Sequence, residues 1–583
     1  MLNLVNEDVD LIYLIKMSVQ LIYSVRKYLL LILLMLAAVG IYAQTGQEAY
    51  KEELKAVESK LREGKFQEGL QILEEISAKY PEVADIYYAK SLVIGQMGDY
   101  EGAVVNANIA YQKSKHMFYA NHLLELYKSK KDLVRGIELL NALKVDYPTH
   151  EGLNRELLIL YAENKQLDKA KFLYTEVSKG AHSDTLDVVM AEVYLNNNEL
   201  VSAKKILSSL DGKSMLPDVY GYLGYIHYKD GKPKDALSAI ERGIKRTNDK
   251  NLYLDLADTY KGMGKYVPMY NALKIAIEAP EVLFWEKYKF LITLRNEENG
   301  ISDDKLQLLV NALQTQHPEI LEAQVLKGEM LWRRNDVEGA REVFLKAVSS
   351  NPRYVAAWRL AINTDLALNQ PNEAIKHGME GLKHNPNNPE LLYFTSLGYA
   401  AKEDYESSKN ILETALNYSE NENNYLRSLI YGSLGDLYHE LKMENMSDAA
   451  YEEAIALDST NSSVLNNYAY YLAVRKKDLD KAAKYSKMSN DLEPNSATFK
   501  DTYAWVMFQK GNYSEALKWI EESVKLNKNS AVLFEHYGDI LSKLNREKEA
   551  KEKWQKAIDL ELNKSNGNLA KIQQKIKEGK YVE

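Results

Sequence analysis

Residues 352–386 read PRYVAAWRLAINTDLALNQPNEAIKHGMEGLKHNP. On both sides of Asn369 apolar side chains recur at i, i+3 or i+4 and i+7, the period of a helix that buries one stripe. Asn369 can take the left-handed conformation that ends a helix. Ala374 stands where two helices must approach closely, which a larger side chain would prevent. Pro386 cannot continue the second helix and marks its end. The stretch predicts two helices of about fourteen residues each, joined by a tight turn.

Its landmarks recur along the chain. Pro318, Pro352 and Pro386 are 34 residues apart, Pro81 and Pro148 are two such steps apart, and Pro494 continues the phase. A second phase carries a small residue, a polar one, an aromatic or apolar one, and then alanine. Examples are Gly98-Asp99-Tyr100 with Ala103, Gly231-Lys232-Pro233 with Ala236, and Gly511-Asn512-Tyr513 with Ala516, and Gly64-Lys65-Phe66 with Gly69 is a variant. Ala170, Ala203, Ala340, Ala374 and Ala550 keep the same phase. A third phase, about seven residues on, holds Ala110, Ala276, Ala347, Ala415, Ala454 and Ala557. One pair alone would leave an apolar face in water, so each must bury it on the next.

With these residues in view, the chain resembles the tetratricopeptide repeat family. Trp358, Ala361, Ile362, Ala374 and Pro386 fall on its usual phases, as do Leu434, Gly435, Tyr438, Tyr451 and Ala454, and Leu223, Gly224, Ala236 and Gly243. Units begin near residues 50, 84, 117, 151, 184, 217, 250, 284, 321, 355, 390, 428, 462, 497 and 531. The resemblance implies an all-α fold: a right-handed superhelical solenoid of about fifteen antiparallel helix pairs, covering about 48–564. Three units depart from the pattern. The unit at 284–320 is long, with an acidic turn at Asn296–Gly300; that near 390–427 has a polar extension, Ser419–Asn424; that near 462 has an extra residue in its turn, Lys476–Asp480. These read as bends, since no Pro/Gly/Ser linker separates them. The organisation expected is an N-terminal array at 44–283, irregular central units at 284–427, a C-terminal array at 428–564, and a solvating cap helix at 565–583.

Ahead of the repeats, Arg26 and Lys27 precede an apolar run from Tyr28 to about Tyr42, followed by Ala43. A basic segment, a short apolar core and small residues read as a secretory signal over 1–43, with cleavage before Gln44. The alternative is an uncleaved membrane anchor, although the core is shorter than the roughly twenty residues a span needs. Both place the remainder outside the cytosol, in the periplasm or at the cell envelope. Either Met1 or Met17 serves as the start.

Composition narrows the function. With 46% apolar and 27% charged residues, the 583-residue chain can bury a core and is not a disordered polymer. A formal net charge of −9 argues against a nucleic-acid binder, which would carry a basic surface. The absence of cysteine removes disulfides, thiolate metal sites and a cysteine nucleophile. His439-Glu440 begins a zinc-protease string, but Met443 stands where the second histidine is needed. Gly262-Met263-Gly264-Lys265 lacks the spacing of a phosphate loop. The chain is therefore expected to be no enzyme, and to need no cofactor and no metal.

The resemblance implies that first helices line a concave face where a protein or extended peptide binds. At positions 5, 6, 9 and 12 of those helices, the candidates for partner contact are Tyr225, Tyr228, Trp332, Asn363, Tyr399, Asn466, Asn467, Tyr470, Trp505 and Phe508. Aromatic rings bury large area at low entropy cost and keep a polar handle. The leading expectation is a protein-binding scaffold of the envelope; the alternative is the extracytoplasmic sensor or adaptor part of a signalling or secretion system. Membrane contact arises only through the N-terminal segment if it is retained.

Overall fold

The computed structural model describes residues 49–148, 150–180, 183–297, 300–561 and 569–582. The export segment at 1–43 lies outside the described residues, as do 565–568 of the expected tail. Every regular element among the described residues is a helix, 31 in all. No helix among them is long and apolar enough to cross a membrane.

The turn read from Asn369 shows why the helices pair. Asn369 sits at φ 56°, the peptide N–H of Gln370 donates back to the Asp365 carbonyl at 2.8 Å, and that of Asn369 donates to Leu366 at 3.0 Å. Carbonyls orphaned at the helix end are thereby satisfied, and the chain reverses within a few residues. The next helix, Pro371–His384, starts with proline in its first turn, where a missing N–H does no harm. The same left-handed position is held by Gly511, but also by Lys131, Lys165, Glu403 and Lys442. The position is not confined to glycine or asparagine, because the pairing on either side imposes the conformation on whatever residue stands there.

The chain forms two compact units, one ending at Ser302 and one beginning at Asp303. In the first, the leading helices of successive pairs begin at Ala49, Ala84, Met117, Glu151, Asp184, Pro217, Leu252 and Phe284. In the second they begin at Leu321, Val355, Pro389, Asn424, Ser462, Ala497 and Ala531. Within each unit most helices pack on the next one in the chain, and leading helices of neighbouring pairs also touch, as Ser462–Val474 does Ala497–Gln509. Cores are correspondingly local: one runs from Val104 to Val193, another from Val325 to Leu391, a third from Tyr451 to Ile540.

Alanine marks the seams. Ala103, Ala170, Ala203, Ala236, Ala340, Ala374, Ala516 and Ala550 are all 0% exposed. Where the chain has serine instead, the hydroxyl is satisfied across the seam. Ser408 Oγ donates to the Ser396 carbonyl at 2.8 Å, and Ser447 Oγ to that of Gly435 at 2.7 Å. A buried hydroxyl with a partner is tolerated; one without would be costly.

Three expectations are corrected. The polar extension at 419–424 is largely a cap: Asn423 accepts from the Leu426 N–H at 2.9 Å, and the helix Asn424–Glu440 begins four residues before 428. The extra residue near 476–480 is absorbed by two left-handed residues, Lys476 and Asp478. The C-terminal helix Leu569–Glu578, expected as a solvating cap, is packed rather than solvated, since Ile572 and Lys575 are each 2% exposed. Lys575 Nζ donates to Glu535 at 2.6 Å and to Asp539 at 2.7 Å. Tyr581 then closes over Phe508, its peptide N–H donating to Ser542 Oγ at 2.9 Å.

Candidate functional site

In the second unit, the leading helices Asn424–Glu440, Ser462–Val474, Ala497–Gln509 and Ala531–Lys543 present side chains that join across pairs. Asn467 Nδ2 donates to Asp436 at 3.2 Å, and the Tyr451 hydroxyl donates to the same carboxylate. Burial pushes the Asp436 carboxyl up to about 6, against the two hydrogen bonds, which favour its ionised form. One pair further on, Asp501 meets the His536 ring at 2.8 Å from Nδ1. Burial works to lower the His536 pKa, but the Asp501 carboxylate, helped by Asp539 and Glu535, holds it above the ordinary value. The same ring stacks on Trp505, centroids 4.3 Å apart, and Trp505 stacks on Phe508 at 4.8 Å. Tyr470 stands beside this assembly and is 37% exposed. Burial raises its hydroxyl pKa, and the carboxylates of Asp501 and Glu535 add to the rise.

The expected contact residues thus divide. Asn467, Tyr470 and Trp505 lie on one face and keep exposed or half-buried surface. Asn466 and Phe508 do not: they are 4% and 5% exposed, Asn466 donating to Asn467 and Phe508 lying between Trp505, Tyr513 and Tyr581. Both belong to the packing beneath the face, because the helix rotation there turns them inward and the C-terminal segment covers Phe508. Trp332 is half-buried against the core around Phe344 and Trp358, and Asn363 and Tyr399 are half-buried on their own helices.

In the first unit, Tyr225 and Tyr228 of Pro217–Lys229 come together with Asp255, Asp258 and Gly262 of Leu252–Gly262. Sequence reasoning missed His536, Asp255 and Asp258. His536 lies 35 residues after Asp501, one residue more than a repeat, and that near-repeat spacing was the available signal. No group of acidic and histidine side chains among the described residues could hold a metal ion.

Residues 306–355 and 361–562 match family models that are both described as tetratricopeptide repeat. No curated protein matches the chain. Among solved structures, the APC/C hetero-tetramer Cut9–Hcn1 is similar at 14% identity, covering 85% of this chain and 96% of that one, with a TM-score of 0.40. Yeast Tom70 is similar at 16% identity over 86% of this chain and 96% of its own, TM-score 0.33. YrrB, a TPR protein with an unusual peptide-binding site, is similar at 19% identity over 33% of this chain and 96% of its own, TM-score 0.26.

Proposed function

We propose that this chain, which carries tetratricopeptide repeats over residues 306–355 and 361–562, is a non-enzymatic scaffold holding a partner protein or extended peptide on its leading-helix faces. The observation that carries this reading is the assembly of Asp501, His536 and Trp505 beside the exposed Tyr470. Its rings are held in place by neighbours before any partner arrives, so little side-chain entropy is lost on contact. The Tyr470 hydroxyl supplies a polar handle at the rim of an aromatic surface, the usual anatomy of a binding hot spot.

The test uses Tyr470→Ala and Trp505→Ala in the full chain, captured from envelope fractions with its bound proteins identified by mass spectrometry. Loss of a protein that wild type retains, with helicity unchanged, is the expected result. Retention of the same proteins at the same level would overturn the assignment of this face.

The proposed location is the cell envelope, supported by the order of basic, apolar and small residues in 1–43. N-terminal sequencing of the mature product tests it. A product beginning at Gln44 means cleavage, a membrane-bound product retaining Arg26 and Lys27 means an anchor, and a cytosolic product defeats the proposal.

A further inference from the structure

The first unit holds a recess of about 140 Å³ between two successive leading helices. Tyr225 and Tyr228 form one wall, and Asp255, Asp258 and Thr259 the other. Two positions lining the recess lack a side chain, which lets its polar walls pack close to the backbone. A methyl group on Gly221 would stand 2.7 Å from Asp255 Oδ2, and one on Gly262 only 2.0 Å from the Tyr228 hydroxyl oxygen. Tyr225 is 49% exposed, so its ring is open to whatever enters. Lys229 Nζ already lies 5.5 Å from the centre of that ring, so an ammonium finds the ring's environment acceptable.

Neither Asp255 nor Asp258 forms a hydrogen bond or an ion pair through its carboxylate with any described residue. The lysine that lines the recess, Lys261, directs its ammonium to Glu297 at 3.1 Å. Desolvation in the recess pushes the Asp255 carboxyl up to about 7, and the neighbouring carboxylates of Asp258, Asp218 and Asp249 add to the rise. Water still reaches Asp255, so a ligand can too. Two carboxylates three residues apart on one helix lie on one face, and the tyrosine rings opposite offer their electron-rich surfaces. That set is complementary to a cation on a slender apolar stem, whose methylenes would lie along the rings while its head meets the carboxylates.

We propose that the recess bounded by Tyr225, Tyr228, Asp255 and Asp258 receives a lysine or arginine side chain of a partner protein. The proposal rests on the reading of the leading-helix faces as protein-binding, and it adds a chemical requirement on the partner at a place distinct from the Tyr470–Trp505 face.

The probe is a positional-scanning library of twelve-residue peptides with one position fixed as arginine, lysine, citrulline or norleucine, captured by the full chain. Citrulline keeps the shape of arginine without its charge, and norleucine keeps the stem of lysine without the ammonium. Arginine- and lysine-fixed pools are expected to be retained about tenfold better than the neutral pools, the scale of one desolvated charge-assisted contact. Asp255→Asn with Asp258→Asn, which preserves shape, is expected to abolish that preference while leaving helicity unchanged. Tyr470→Ala is expected to leave it intact. Equal retention of charged and neutral pools, or a preference that survives the double substitution, would overturn the cation assignment. If peptides are still captured in that case and Tyr470→Ala weakens their capture, the scaffold reading stands alone. If no pool is captured at all, both readings fail.

Discussion

Lys575 and Asp539 meet at 2.7 Å across 36 residues of chain, each side chain 2% exposed, with Glu535 as a second partner for the ammonium. The indole N–H of Trp554 donates to the other Asp539 oxygen at 2.9 Å, so every strong polar group in this buried cluster has a partner. Removing one member leaves the rest charged and dry.

Lys575→Met is therefore expected to destabilise the second unit by about 3 kcal/mol, since breaking a buried pair strands its partner. Adding Asp539→Asn, which keeps an acceptor for Trp554, is expected to recover part of the loss. Urea denaturation of the full chain followed by tryptophan fluorescence measures both. An unchanged midpoint for the single substitution would refute the burial of this pair.

Asp436 governs a pH effect. Its carboxyl is raised to about 6 from an ordinary 3.8, so the folded chain holds that proton more tightly than the unfolded chain. The stability this contributes is fully present below pH 3.8 and is lost as pH rises through about 6. Asp436→Asn removes the penalty of charging the buried group while keeping an acceptor for the Tyr451 hydroxyl. It is expected to raise stability at neutral pH by about 1–2 kcal/mol and to have little effect near pH 4. Thermal melts across that range read the difference.

Gly538 lies under the indole of Trp554. A methyl group there would stand 2.5 Å from two indole ring atoms, and Trp554 is 0% exposed, so the ring has nowhere to move. Gly538→Ala is expected to destabilise by about 1–3 kcal/mol through overpacking, although alanine favours helix. A gain in melting temperature would contradict this packing.

Glu403 offers the opposite change. It holds φ 62° at an exposed helix break, a conformation in which its Cβ is crowded. Glu403→Gly is expected to stabilise by about 0.5–1 kcal/mol, the relief of left-handed strain less the added freedom of the unfolded chain. Denaturant midpoints decide it, and a loss of stability would show that the glutamate is held by something other than the turn.

Much of the helix-pair pattern was legible because close helix approach allows few residues at its tightest points. Ala374 and Ala516 sit where nothing larger fits, and their phase alone places the helices around them. Ser408 and Ser447 occupy equivalent seams but were unreadable, because serine in a helix looks like surface until the carbonyl opposite it is known. The candidate face was legible only in outline. Phe508 and Tyr228 hold the same helical position, yet one is sealed by Tyr581 and the other borders an open recess. Asp255 reads as an ordinary solvated acid until Tyr225 and the two bare glycines are placed around it. In each case the deciding neighbour comes from another helix, and a single periodic pattern does not carry that information.

Because each core draws chiefly on neighbouring helices, a pulling force applied to the second unit meets few long-range ties, that of Tyr581 to Phe508 among them, that must give way together. Extension should release slack in instalments of about 34 residues, the repeat length. Each instalment should refold when tension falls. A polypeptide built this way yields under load like a ratcheting spring, remaining mostly folded while its ends move apart.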